Sequence, residues 1–296
     1  MATLNIENAK KFGDLTAITE APDNAMLLIH DGNGVKKITA KNVKKDLADL
    51  ITAHKSILDM VTASGAGAHN AIYRGKNLGS SVTAVQYAAI SAGTFDDMYI
   101  GDYWTIGGVV YRIAAFDYYL TTGDTACSVH HVTLIPDVSM YTHVMNDSAS
   151  TAGGYYGSKM YTSGLSQAKN TINTAFGTTR IMSHRQYLTN AVTNGRPSGA
   201  SWYDSTVTLM TEQNVYGGKV FGSVAEGTTI PHQHTIDKSQ YPLFAHRPDF
   251  ISNRQMYWLR DVVSAANFTC VNGTGITHYS DAPKTFGVRP VFSIKA

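Results

Sequence analysis

The sequence predicts an α+β chain: a small β unit over residues 1–39, a single amphipathic helix over 40–62, a linker and bridging segment over 63–92, and a β-rich domain over 93–296. Three observations carry this expectation. Asp31-Gly32-Asn33-Gly34 sits between two short apolar runs, and Asp-Gly and Asn-Gly supply the positive φ angles of a tight hairpin. Val43, Leu47, Leu50, His54, Ile57 and Val61 recur at spacings of four and three, which is a helical stripe. Downstream, short runs of β-branched and aromatic residues are separated by Gly-, Ser- and Pro-rich stretches.

The elements follow in chain order. Asn24 to His30 forms the first strand, and Val35-Lys36-Lys37-Ile38-Thr39 returns. The helical stripe is an a/d seam of about three heptads. His54 occupies one core position of that seam, where it would fix register at some cost in stability. Such a seam serves either a helix packed on its own chain or a short oligomeric coiled coil. The basic run Lys36, Lys37, Lys41, Lys44 and Lys45 beside it reads as a solvated face. Thr62-Ala63-Ser64-Gly65-Ala66-Gly67-Ala68 has the composition of a flexible linker. Residues 70–92 bridge to the next domain, with a short helix over 82–90.

Within the large domain, Tyr103-Trp104-Thr105-Ile106 and 109–116 form a hairpin around Gly107-Gly108. His131 to Pro136 is a strand stopped by its proline. Leu165, Ala168, Ile172 and Phe176 mark a helix over 164–176. Residues 206–210 form a core strand. The stretches 194–203 and 223–241 read as irregular loops. Two anchors close the chain: Tyr257-Trp258-Leu259-Arg260, and Phe286-Gly287-Val288-Arg289-Pro290-Val291-Phe292-Ser293-Ile294.

Composition narrows the function classes. The 296 residues are 43% hydrophobic, enough for a sizeable core. Only 16% are charged, below the usual ~25%, so the surface is neutral, polar and loop-rich. The net charge is +2 and no Lys/Arg cluster fills one face, so no nucleic-acid partner is expected. Cys127 and Cys270 form no CxxC pair and read as two separate thiols. Residues 1–7 lack a basic start and an apolar run, and no stretch approaches a membrane span. The expectation is a protein made in a cytoplasm without a secretory signal, not inserted in membrane, and released by lysis.

The chemistry-bearing motifs are few. His232-Gln233-His234 points two imidazoles to one side of an extended chain. Three copies about a threefold axis would offer six imidazoles to a metal; the alternative is an ordinary polar loop. His130-His131 alternates faces and cannot serve one site. Asp96-Asp97 reads as a solvated turn. No nucleophile elbow, HExxH, Walker loop or dinucleotide fingerprint is present. No cofactor and no catalysis are expected, although Asp204, Glu212, Glu226 and Asp249 remain open as acids that could meet only in space. Trp104, Trp258, Leu259, Arg260 and Arg289 are assigned to the frame. The candidate ligand-binding residues are Tyr257, Asn267, Thr269, Asn272, Thr274, His278, Tyr279 and Asp281. Tyr offers contact area at low entropic cost, and Asn, Ser and Thr offer adaptable hydrogen bonds. The alternative for this stretch is a plain exposed loop.

Trp258-Leu259-Arg260 followed by Gly287-Val288-Arg289-Pro290 resembles the C-terminal half of an uncharacterised domain common in Firmicutes and their phages. That domain has a C-type-lectin-like fold. The segment Thr206 to Gly217 resembles its strand and acidic helix start, and Gly101 to Ile113 its opening hairpin. Residues 72–79 resemble segments of gut-phage structural proteins, and the "DG…G…KKIT" hairpin resembles virion-attachment modules. The resemblance implies a non-catalytic phage virion protein, from a tail, baseplate or head fibre, that binds a bacterial surface protein or glycan. It implies a homotrimer held by the helix and docked on other virion proteins through its N-terminus. It also implies a recognition loop that some related proteins diversify by retroelements. The calcium triplet of sugar-binding lectins has only Arg247-Pro248-Asp249 as a partial counterpart, with no later Trp-Asn-Asp. Formylglycine-generating enzymes share the general fold, but Cys127 and Cys270 lack their context. A purely structural connector or decoration protein, and an enzyme acting on surface glycans, are the alternative readings.

Overall fold

The computed structural model describes residues 22, 24–30, 34–61, 65–223 and 239–296. The protein is mixed α/β, mostly β-sheet with few helices. It divides into two compact units, Met1–Thr62 and Ala63–Ala296.

In the first unit, β1 (Met26–His30) and β2 (Val35–Thr39) pair antiparallel, with Met26 opposite Thr39 and His30 opposite Val35. Helix α1 (Ala40–Val61) follows at once. Thr39 caps it by accepting the N–H of Asn42 at 3.3 Å, which satisfies one of the orphan donors of the first turn. Lys36, Lys37, Lys41, Lys44 and Lys45 are exposed, and Lys45 pairs with Asp49 one turn on, at 2.8 Å. Of the seam, Val43 and Leu50 are exposed at 36% and 54%. The side chains of Leu47, His54, Ile57 and Val61 lie outside the described residues.

The second unit begins with α2 (Ala66–Asn70) and α3 (Ala84–Ala92). Residues 65–92 therefore belong to it and do not form a separate linker and bridge. The reason lies at the end of the Gly/Ala run. His69 is buried among the rings of Phe95, Tyr99 and Phe116, and Asn70 bonds both the N–H and the carbonyl of Phe116. Arg74 is locked to the fully buried Asp102, and the 74–78 backbone bonds Ile100 and Tyr103. Two side chains at the end of a weak segment outweigh its composition.

Two five-stranded sheets build the body. The first has the order β3 (Tyr103–Ile106), β4 (Val109–Phe116), β5 (Val132–Pro136), β14 (Pro290–Ile294), β9 (Val207–Leu209). The second has the order β12 (Thr277–Asp281), β11 (Asn267–Val271), β10 (Tyr257–Val262), β13 (Phe286–Val288), β6 (Tyr141–His143). A π-helical turn, Met160–Gly164, leads into α4 (Ser166–Phe176), whose Ala168, Ile172 and Phe176 are buried. The short helices α5 (Glu212–Tyr216) and α6 (Pro242–His246) complete the regular structure.

Both faces of β10 and β11 in the second sheet are covered. Tyr257, Leu259 and Val271 join the larger core, while Trp258, Val262, Phe268 and Cys270 join the smaller one. Strand alternation sends successive side chains to opposite sides, so β10 and β11 form a partition between two apolar cores. β13 and β14 are one continuous run that changes sheets at Arg289. Pro290 opens β14, where its missing N–H costs little.

One loop expectation is corrected. Residues 194–203 are not irregular: β7 (His184–Thr193) and β8 (Arg196–Ser205) form a long hairpin. Asn194 and Gly195 turn it with φ of 52° and 75°, the pattern that two-residue hairpin loops require. Ser198, Gly199 and Pro197 mask this turn in composition.

Candidate recognition surface

The residues assigned to the frame are all buried. Trp104 is fully buried and donates its indole N–H to Gln86, a residue of the α3 capping box, at 3.2 Å. Trp258 is fully buried, donates to the carbonyl of His143 at 3.0 Å, and stacks near Phe286 with 4.7 Å between ring centroids. Arg260 donates to the Gln186 side chain at 2.7 Å. Arg289, 1% exposed, donates to the carbonyls of Pro136, Phe250 and Ile251. Gly287 lies where an added Cβ would collide with the Ser139 side chain and meet the Met256 carbonyl at 3.1 Å. The GVRP sequence is thus explained by close approach followed by a buried, carbonyl-bound guanidinium.

The candidate ligand residues divide. Tyr257 and Thr269 are fully buried and are corrected from ligand contacts to core. Tyr257 donates its hydroxyl to Ile251, and Thr269 lies in the partition described above. Asn272 accepts from the N–H groups of Thr274 and Ile276 and from the Thr274 hydroxyl, so both side chains shape the β11–β12 turn. Asn267 and Asp281 face each other across the pair and bond at 2.7 Å. His278, Tyr279 and Asp281 are exposed on β12, which is an edge strand.

A buried clasp supports this edge. Glu212 is fully buried and accepts the N–H groups of Val220 at 2.8 Å, Phe221 at 3.0 Å and Gly222 at 2.8 Å, together with the Thr277 hydroxyl. Asp261 accepts the Glu212 N–H at 2.6 Å and lies 3.5 Å from the Lys219 ammonium. The clasp brings Phe221 to within 5.0 Å of the Tyr279 ring. The exposed edge therefore includes Val220, Phe221 and Ile276, which are 62%, 37% and 62% exposed and were not anticipated from sequence. The distance of Val220 and Phe221 along the chain from β12 hid the grouping.

The other candidate chemistry disperses. His232, His234 and Glu226 lie outside the described residues. His131 is buried and neutral in form: Nδ1 faces the Val129 carbonyl and Nε2 accepts the Tyr119 N–H. His130 pairs instead with Asp117 at 2.7 Å. Asp97 pairs with Arg74 and Lys76, Asp249 with Arg247, and Asp204 lies beside Arg185. Both cysteines are free, and burial pushes the Cys270 thiol up to about 12, aided by the Glu212 charge. Among the described residues no group of three or more His, Cys, Asp or Glu is placed to hold a metal ion, and no helix is long and apolar enough to cross a membrane.

A second surface was also missed. Tyr187 sits opposite Trp202 on the β7–β8 hairpin, with ring centroids 5.2 Å apart, and both are half-buried. The Asn194-Gly195 turn, flanked by Tyr187, Thr189 and Ala191 at alternate positions, was the signal that could have found it. Compared with known proteins, the chain matches no family model, no curated protein and no solved structure.

Proposed function

We propose that this chain is a phage virion surface protein, of tail, baseplate or head fibre, that binds a bacterial cell-surface receptor without catalysis. The observation that carries the reading is the contrast at β12. His278, Tyr279 and Asp281 are exposed, yet the adjacent β11 and β10 are buried on both faces. Residues spared from packing on a stiff support are free to serve recognition. In this reading the second unit is C-type-lectin-like, β1 and β2 dock on other virion proteins, and α1 forms a trimeric coiled coil. The partly exposed Val43, on the predicted seam, supports that last step. Three copies would raise weak single-site binding through effective concentration.

The test is binding of the labelled protein to host cells. Tyr279→Ala and His278→Ala should each weaken binding at least tenfold with an unchanged melting temperature. Wild-type binding that neither substitution alters would remove the β12 edge from the receptor site. A second reading, a structural connector, is favoured by the apolar Val220, Phe221 and Ile276 beside the β12 edge, which suit burial under a neighbouring subunit. Absence of cell binding by every oligomer, with binding to purified virion components, would select it.

A further inference from the structure

We propose that the foot of the β7–β8 hairpin is a saccharide-binding site, in which a neutral sugar stacks on Tyr187 and Trp202 and reaches into the adjacent cleft. The site is separate from the β12 edge and stands whether or not that edge binds a receptor.

Four observations converge. First, a cleft of about 750 Å³ opens at the hairpin foot, lined in part by Cys127, Met182, His184, Arg185 and Asp204. This is within the range of small-ligand sites. Second, the pairs Arg185–Asp204 and Tyr187–Trp202 are directly opposed and two residues apart. They share one face of the hairpin, about 7 Å apart along the strand. A ring seated on the aromatic pair therefore has its edge beside charged hydrogen-bonding groups. Third, Trp202 is the least buried of the three tryptophans; Trp104 and Trp258 are fully enclosed. An indole left partly open beside a tyrosine gives a sugar's C–H face a large apolar surface, with polar groups at its rim.

Fourth, the polar groups are held in place before any ligand arrives. Arg185 donates to both oxygens of Asp124, at 2.7 and 2.9 Å, and to the Trp202 carbonyl at 3.3 Å, with Asp204 at 3.5 Å. Two carboxylates offset its charge, so this wall suits hydroxyl groups better than an anion. His184, 6% exposed, stacks on Tyr119 at 3.9 Å. Its ring lies on the buried face of β7, opposite Arg185 and Tyr187, and backs the floor of the cleft. Burial holds that imidazole neutral, so it adds no charge behind the cleft.

Trp202 makes the test direct. Tryptophan emission of the full chain is titrated with glucose, galactose, rhamnose and N-acetylglucosamine oligomers, with calorimetry in parallel and poly(glycerol phosphate) as the anionic comparison. A saturable emission change with at least one neutral oligosaccharide is expected. Tyr187→Ala and Trp202→Ala should weaken binding at least tenfold by calorimetry, and Arg185→Lys several-fold. Trp202→Phe should retain part of it, and Tyr279→Ala should leave it unchanged. The exposed Asp204→Asn keeps the test valid if the aromatic variants fail to fold. No saturable response to any neutral oligosaccharide overturns the proposal. So does binding that survives the Tyr187, Trp202 and Asp204 substitutions, or binding confined to the anionic polymer.

Discussion

Arg289 donates its Nε–H to the carbonyl of Pro136 at 2.9 Å, joining positions 153 residues apart. Its Nη1 reaches the carbonyls of Phe250 and Ile251, at 2.9 and 3.2 Å. One planar cation thereby ties the end of β5 and the segment after α6 to the point where β13 becomes β14. Lysine carries its three donors on one atom and cannot reproduce a planar fork that reaches Pro136 from Nε and Phe250 and Ile251 from Nη1. Arg289→Lys is expected to cost about 2–4 kcal/mol, because carbonyls and charge are left poorly matched in the interior. Urea denaturation of both proteins measures it; a loss within 0.5 kcal/mol, about the scale of an ordinary surface change, would contradict this account.

Gly287 should tolerate no side chain. An added Cβ would overlap both the hydroxyl and the Cβ of Ser139 and press on the Met256 carbonyl. Gly287→Ala is expected to destabilise by about 1–3 kcal/mol through overpacking. Pairing it with Ser139→Gly should recover part of the loss, which a thermal melt of the double variant would reveal.

Acid should weaken the fold well before the carboxylates titrate. Burial lowers His184 from 6.5 to about 3, and burial lowers His131 as well. Below pH 6.5 the unfolded chain takes up protons that folded His184 refuses until about pH 3, so stability rises with pH across that window and is lost as pH falls through it. Between pH 7.5 and 5.0 the loss from His184 alone is about 2 kcal/mol. Denaturant midpoints at the two pH values provide the check, and His184→Gln should flatten the difference.

The helix α1 should carry the oligomer. Light scattering of the intact protein is expected to give the mass of three chains, and Leu50→Glu should return it to one. A monomer at micromolar concentration would remove the coiled-coil reading, leaving Val43 and Leu50 as ordinary exposed apolar residues.

The clasp should tune the edge it supports. Glu212→Gln keeps the size of the side chain but replaces one acceptor oxygen by a donor facing backbone N–H groups. The expected cost is about 1–3 kcal/mol, with increased fluorescence anisotropy decay or hydrogen exchange at 219–223. Unchanged exchange there would mean that the segment is held by other contacts.

Much of the scaffold was legible in the sequence because its signals are local. The 26–39 hairpin, α1, the Gly107-Gly108 hairpin and the Pro136-terminated strand each announce themselves within a dozen residues. The buried roles of Trp104, Trp258 and Arg289 were also readable from their apolar neighbours. Failures came where meaning is non-local. Tyr257 and Thr269 look like adaptable loop residues until their strands are enclosed in the sheet, where both are fully buried. Phe221 and Tyr279 meet only through Glu212. The β7–β8 hairpin was hidden because Pro197, Ser198 and Gly199 speak for a loop, while Asn194-Gly195 speaks more strongly for a turn between strands.

The run Phe286–Ile294 lies inside both sheets, between β10 and β6 in one and between β5 and β9 in the other. Each sheet therefore waits for a central member that the ribosome delivers after nearly everything it joins. Until then the exposed strand edges and apolar faces of a long nascent chain are vulnerable to mispairing. Neither sheet can close until Phe286–Ile294 has been made, and a chain cut before Phe286 is expected to leave the edges of β10, β6, β5 and β9 unpaired and prone to aggregation.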